Sequence, residues 1–292
     1  MADPANDAKK TNSSVPAQGG AAKLEADASA SPSASASPSA SVSASGTKPP
    51  RRQTRGRRKH RLMIALEGID GSGKSVQFAR LKARLEAAGK RVGVLDFPCY
   101  ESFFGSQIGV FLSGSGSVSA ADVDVRSMSL WYAMDRVKAF EKFDAGAYDV
   151  ILLNRSTMAN AAYQGSRVQL EAKKHGEDPQ NALETYIKWL FELEFDVLGV
   201  PRPDIFFIFD VPVSVSRANV AKKGRRDYVG GEKADVYEKD NELLETVRKG
   251  YLTCAEMFGG VNVVPCTGAD GNLRGIDEIS GEVWASLAGL LE

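Results

Sequence analysis

From Leu62 onward, short continuous apolar runs alternate with stretches in which apolar positions return every three to four residues. A continuous apolar run bounded by turn residues reads as a strand buried on both faces, and the three-to-four spacing reads as an amphipathic helix. Strands are therefore predicted near 62–67, 91–97, 149–153, 204–210 and 261–265. Helices are predicted from Lys74, Val125, Ala182, Val213 and Asp235, with a last one between Gly275 and Leu291. Strand-helix alternation of this kind predicts an α/β domain, a five-stranded parallel sheet flanked by helices on both faces. In such sheets ligands lie beyond the carboxyl ends of the strands, so the residues that follow each strand carry the chemistry.

The first sixty residues do not follow the pattern. Between Ala28 and Gly46, 15 of 19 positions are Ala or Ser, a composition that cannot bury enough apolar surface to offset ordering entropy. A disordered tail over residues 1–61 is expected, with the folded domain at 62–292. The tail ends in Arg51, Arg52, Arg55, Arg57, Arg58, Lys59 and Arg61. Such a block can hold nucleic acid through its phosphates. The solvated linker is preferred, because no aromatic residue is interleaved for base stacking. Through Arg61 the chain has 11 Lys/Arg against 4 Asp/Glu, leaving 26 against 33, so the net charge of zero joins a +7 tail to a −7 domain.

No run approaches the roughly 18 apolar residues of a membrane span. No secretory apolar core opens the chain, so the expected address is the cytoplasm. Three cysteines, Cys99, Cys254 and Cys266, have no zinc spacing, and their odd number suits a reducing compartment. The two histidines are His60 in the tail and His175, expected in an exposed loop. Histidine-dependent nucleophilic hydrolysis is accordingly disfavoured.

The first strand runs directly into Gly68-Ile69-Asp70-Gly71-Ser72-Gly73-Lys74-Ser75 and then into a helix. This is G-x-x-x-x-G-K-S between strand and helix, the phosphate loop of P-loop NTPases. Its glycines let backbone N–H groups turn toward phosphates at a helix N-terminus. Lys74 is expected on the β- and γ-phosphates and the Ser75 hydroxyl on Mg²⁺, so a nucleoside triphosphate with magnesium is the expected ligand.

Three further clusters bear on the acceptor. Tyr132 and Arg136 stand at i and i+4 of one helix, hence on one face, where a ring could stack on a base beside a donor for its carbonyl. Arg155 follows the third strand, within Asn154-Arg155-Ser156, where a guanidinium can grip a phosphate; Asn160 and Tyr163 follow on a helix. Residues 217–240 are rich in charge and glycine, including Arg225 and Arg226, as suits a lid closing over a transferring group.

Taken in order, Glu67 to Ser75, Phe97-Pro98-Cys99-Tyr100, Tyr132 to Arg136, Arg155 to Gln164 and Asp235 to Asp240 resemble the thymidylate kinase family, over nearly all of residues 62–292. The resemblance implies an ATP-dependent, Mg²⁺-requiring dTMP kinase acting in dTTP biosynthesis. ATP would lie on Gly68, Asp70, Gly71, Ser72, Gly73, Lys74, Ser75 and Val76, with Ser75 and Asp70 toward the metal. It further implies Tyr132 stacked on thymine, Arg136 and Asn160 on its edge, and Tyr163 under the sugar, disfavouring a ribose 2′-hydroxyl. Asp70 would face the sugar or the metal, and Phe97, Tyr100 and Arg155 the acceptor nucleotide. Lys74, Arg155, Arg225 and Arg226 would be catalytic. The small-molecule partner would be dTMP, with a homodimer left open.

This chain departs from that pattern at Val76, Cys99 and Asn154, where the resemblance leads one to expect Thr, Arg and Asp. Two alternatives stand beside the kinase reading. One is a deoxynucleoside kinase, with Asp96 as its base; the other is a catalytically weakened nucleotide-binding regulator.

Overall fold

The computed structural model describes residues 61–222 and 241–291. The tail through His60 and most of the expected lid, including Arg225 and Arg226, lie outside the described residues. Five strands, β1 (Leu62–Glu67), β2 (Val92–Asp96), β3 (Val150–Asn154), β4 (Ile205–Asp210) and β5 (Val261–Pro265), occur where the apolar runs predict them. They pair in parallel in the order β2-β3-β1-β4-β5. All six residues of β1 are buried, as a central strand covered on both faces requires. The sheet continues from β1 to β3 and β2 on one side, and to β4 and β5 on the other. The carboxyl end of β1 is therefore the topological switch point, where a ligand crevice opens.

Eight helices are described: α1 (Lys74–Ala87), α2 (Phe103–Ser113), α3 (Val125–Lys142), α4 (Thr157–His175), α5 (Pro179–Phe191), α6 (Val213–Lys222), α7 (Asn241–Met257) and α8 (Ile276–Ala285). The fully buried core joins Ile64 and Leu66 of β1 to Leu152 of β3, Phe207 of β4 and Leu85 of α1. Each such side chain contributes about 1.5–3 kcal/mol when removed from water. Helix α4 packs against α5 and α7, and its buried Ala159, Ala161 and Ala162 let those neighbours approach closely.

Several expectations are corrected. Helix α5 starts at Pro179 rather than Ala182, because the Asp178 carboxylate accepts from the backbone N–H groups of Gln180 and Asn181 and Pro179 occupies the first turn. Helix α2 is not predicted. Gly105 and Gly109 lower its intrinsic propensity, but the Ser102 hydroxyl caps it by accepting from Gly105 N. His175 is the last residue of α4, exposed and beside Glu171 at 3.0 Å, rather than a loop residue. The helix expected to reach Leu291 ends at Ala285. Residues 235–240 of another lie outside the described residues.

Candidate active site

The phosphate loop leaves β1 at Gly68 (φ 130°) and turns again at Gly71 (φ 78°). At position 71 a Cβ would stand 2.3 Å from the Ser216 carbonyl oxygen. Helix α6 thus occupies the space a side chain would need, which accounts for glycine there. The same helix ties the loop down: the Ser216 hydroxyl donates to Asp70 O, and Asn219 Nδ2 donates to Gly71 O at 2.9 Å. Lys74, at the start of α1, is buried, with Nζ donating to Gly68 O (2.8 Å) and Ile69 O (2.9 Å), 4.0 Å from the Asp70 carboxylate. Ser72 Oγ is buried with no hydrogen-bond partner among the described residues. Ser75 and Val76 face solvent.

Arg155 follows β3 with φ 66°, a left-handed conformation that costs a non-glycine residue about 1–2 kcal/mol. Its N–H donates to Leu66 O at 3.0 Å, and its Nη2 pairs with Asp70 Oδ2 at 2.8 Å. The strained turn thereby carries the side chain that follows β3 to the phosphate loop after β1. Its guanidinium lies 5.4 Å from the centre of the Tyr163 ring. Burial disfavours the Arg155 charge, but Asp70 and the neighbouring groups outweigh it, and its pKa stands well above the ordinary value.

Behind this pair lies Glu67, fully buried at the end of β1. Ser156 Oγ donates to it at 2.6 Å, with the Tyr251 hydroxyl at 3.4 Å. Burial raises the Glu67 pKa, against the pull of Ser156, Arg155, Lys74 and Arg136.

On the acceptor side, Arg136 of α3 is buried and meets the fully buried Glu194 two-pronged, Nε to Oε2 at 2.6 Å and Nη2 to Oε1 at 2.5 Å. Thr157 Oγ1 (2.8 Å) and Asn160 Nδ2 (3.1 Å) also donate to that carboxylate. Glu194 comes from a π-helical segment, Glu192–Val197, that extends α5. Two of the Arg136 donors expected on a base are thus engaged within the protein. Asn160 Oδ1 is a buried acceptor with no partner among the described residues. Tyr132 is half-buried on the same helix as Arg136.

Phe97 is buried with its ring 6.0 Å from the Arg136 guanidinium, and Tyr100 is half-buried. The turn between them is held by the buried Asp135, which accepts from Cys99 N (2.8 Å) and Ser102 Oγ (2.6 Å). Burial, Asp135 and Asp96 push the Cys99 thiol up to about 12. A neutral thiol cannot replace an arginine on a phosphate. Asn154, at the end of β3, donates from Nδ2 to Asp96 Oδ1 at 2.8 Å.

The structure brings together Asp70, Lys74, Arg155 and Tyr163 at the switch point, and Arg136 with Asn160 on a separate buried network. Glu67, Asp135, Glu194, Ser216, Asn219 and Tyr251 went unremarked as site residues in the sequence. Glu67, Asp135 and Asn219 sit inside segments that the sequence singled out for other residues; Glu194, Ser216 and Tyr251 belong to stretches with no distinguishing pattern.

A parallel sheet with a glycine-rich loop, buried lysine and helix start at its switch point defines a P-loop nucleotide-binding protein, and the arginine facing that loop adds a cation of the kind that phosphoryl transfer uses. The family model for thymidylate kinase matches residues 66–267. The chain is 32% identical over 203 residues to the thymidylate kinase of Mycobacterium tuberculosis, covering 68% of this chain and 88% of that one. It is 30% identical over 209 residues to a probable thymidylate kinase of Thermococcus kodakarensis, covering 70% and 88%. A solved thymidylate kinase of Candida albicans has the same fold, with a TM-score of 0.57, 19% identity and coverage of 78% of this chain and 92% of that one. The chain belongs to the thymidylate kinase family. Among the described residues, no helix is long and apolar enough to cross a membrane.

Proposed function

We propose that the protein is a dTMP kinase, transferring the γ-phosphoryl group of ATP to the phosphate of dTMP to give dTDP and ADP. The observation that carries the reading is the 2.8 Å contact between Arg155 and Asp70, which sets an acceptor-side cation against the donor loop. A kinase for a neutral hydroxyl needs a general base. A phosphate acceptor is already ionised at neutral pH, so transfer reduces to positioning and charge neutralisation.

Lys74 neutralises charge on the donor phosphates, and Arg155 holds the acceptor phosphate in line with them. Asn160 presents its Oδ1, without a partner among the described residues, to a ring N–H, the donor that thymine carries between its two carbonyls. Tyr132 supplies a face for the base, and Tyr163 closes the space beneath the sugar. The Glu194 carboxylate fixes Arg136 and Asn160 together, so the edge that reads the base is organised before the substrate arrives. The exposed Ser75 hydroxyl, the Asp70 carboxylate and the Ser72 Oγ, which has no partner among the described residues, fit a phosphate chain carrying Mg²⁺. Ser75 and Asp70 would hold the ion, which when bound offsets charge on the transferring group.

ADP release with ATP and Mg²⁺ tests the reading, with dTMP, dUMP, the ribose counterpart of dTMP and thymidine as acceptors. Turnover with dTMP and little with thymidine is expected. Thymidine as the better acceptor would make this a nucleoside kinase, and nucleotide binding without any turnover would make it a regulator. Tyr163→Ala should narrow the preference for dTMP over its ribose counterpart, by no more than about 100-fold. An unchanged ratio removes Tyr163 from sugar selection.

A further inference from the structure

We propose that a second acidic group, beyond Asp70 of the phosphate loop, faces the nucleotide's magnesium shell from the end of β2, as Asp96, and that Asn154 is its positioning partner. The inference deepens the kinase reading and rests on its nucleotide-binding part. Asp96 and Asn154 end adjacent parallel strands in direct register, two strands and one strand away, respectively, from the phosphate loop's own β1. Asn154 Nδ2 donates to Asp96 Oδ1 at 2.8 Å. An ionised carboxylate only accepts, so this contact fixes which end of the amide faces Asp96. The other end, Asn154 Oδ1, is a buried acceptor without a donor among the described residues.

Asp96 itself is exposed at the carboxyl end of β2 and lies within electrostatic reach of Lys74 and Arg155, the two cations of the donor and acceptor sides. Water bound to a divalent ion donates through both of its O–H groups, and a carboxylate beside an amide oxygen supplies adjacent acceptors for it. Among the described residues, no group of three or more His, Cys, Asp or Glu could hold a metal on its own. Magnesium retains several waters and binds through few protein groups plus phosphates. Asp96 therefore acts through water. The negative charge that the family resemblance leads one to expect at position 154 then stands one strand away, and the Asn154 amide aims it.

The test is calorimetric binding of ADP, with Mg²⁺ and with EDTA, to the intact protein and three variants: Asp96→Asn, Asn154→Ala, and the exchange of Asp96→Asn with Asn154→Asp. Asp96→Asn should lose about 10- to 100-fold of the Mg²⁺-dependent gain in affinity and keep its affinity in EDTA. Asn154→Ala should lose less, and the exchange should recover most of the gain. An unchanged Mg²⁺ dependence in Asp96→Asn overturns the proposal. So does an equal loss in EDTA, which would make Asp96 a direct nucleotide or folding contact. Thymidine turnover abolished by Asp96→Asn would also overturn it, by making Asp96 a general base. Failure of dTMP as an acceptor, with the magnesium effect intact, removes the dTMP assignment and leaves the Asp96 proposal supported.

Discussion

The donor and acceptor halves of the site are built in opposite ways. The donor half is one uninterrupted segment, Glu67 to Ser75, in which glycine dihedrals and a helix start do most of the work and neighbouring residues lend hydrogen bonds. The acceptor half draws on α3, α4 and the turn after α5, and hinges on a buried Arg136–Glu194 pair whose members are 58 residues apart. A backbone cradle tolerates change in its surroundings. A buried ion pair does not, because removing one partner strands the other charge away from water. The two halves should therefore fail differently, one in chemistry and the other in stability.

The largest expected effect lies on the acceptor side. Glu194→Ala should destabilise the fold by about 3–5 kcal/mol, measured by urea unfolding, because Arg136, Thr157 and Asn160 all lose the same acceptor. Wild-type stability in that variant would erase the contrast between the halves. Next, Lys74→Ala should reduce dTMP-dependent ADP release by about 100- to 1,000-fold, with a smaller loss of stability than Glu194→Ala. Full turnover in that variant would sink the kinase assignment. Asn160→Ala should weaken dTMP binding by about 1–3 kcal/mol, seen as a raised KM with kcat changed less. An unchanged KM would mean that Oδ1 does not read the base.

The smallest effect concerns pH. Burial raises the Glu67 pKa, so the folded state holds its proton to higher pH than the unfolded chain does. Its contribution is fully present below the ordinary glutamate value and is lost as pH rises through the folded value. Glu67→Gln should remove that decline. Unfolding free energies of the two proteins between about pH 4 and pH 8 should diverge in that direction, and parallel curves would show that folding does not shift the Glu67 pKa.

Much of the architecture was legible in the chain. The five strands follow from continuous apolar runs, because only a sheet covered on both faces accommodates them. The phosphate loop follows from a motif whose chemistry is carried by the backbone of adjacent residues. Helix α2 was not legible, since its glycines argue against a helix that a single serine cap and packing on α3 nevertheless sustain. The start of α5 was misplaced by three residues, because one aspartate cap governs the boundary more than the apolar period does.

The site divides along the same line. Lys74 and Arg155 could be nominated from their positions after strands, and Tyr132 and Arg136 from their i, i+4 spacing. Neither Glu194 as the partner of Arg136 nor the bond from Asn154 to Asp96 could be read, because each joins residues with no fixed spacing between them. Sequence alone determined what depends on neighbours along the chain: strand periodicity, the glycine loop, the charge division between tail and domain. Tertiary structure decided which distant charges meet. An ion pair or a hydrogen bond acts over a few ångströms, and only the folded chain brings β2 beside β3, or the turn after α5 beneath α3, to within that distance.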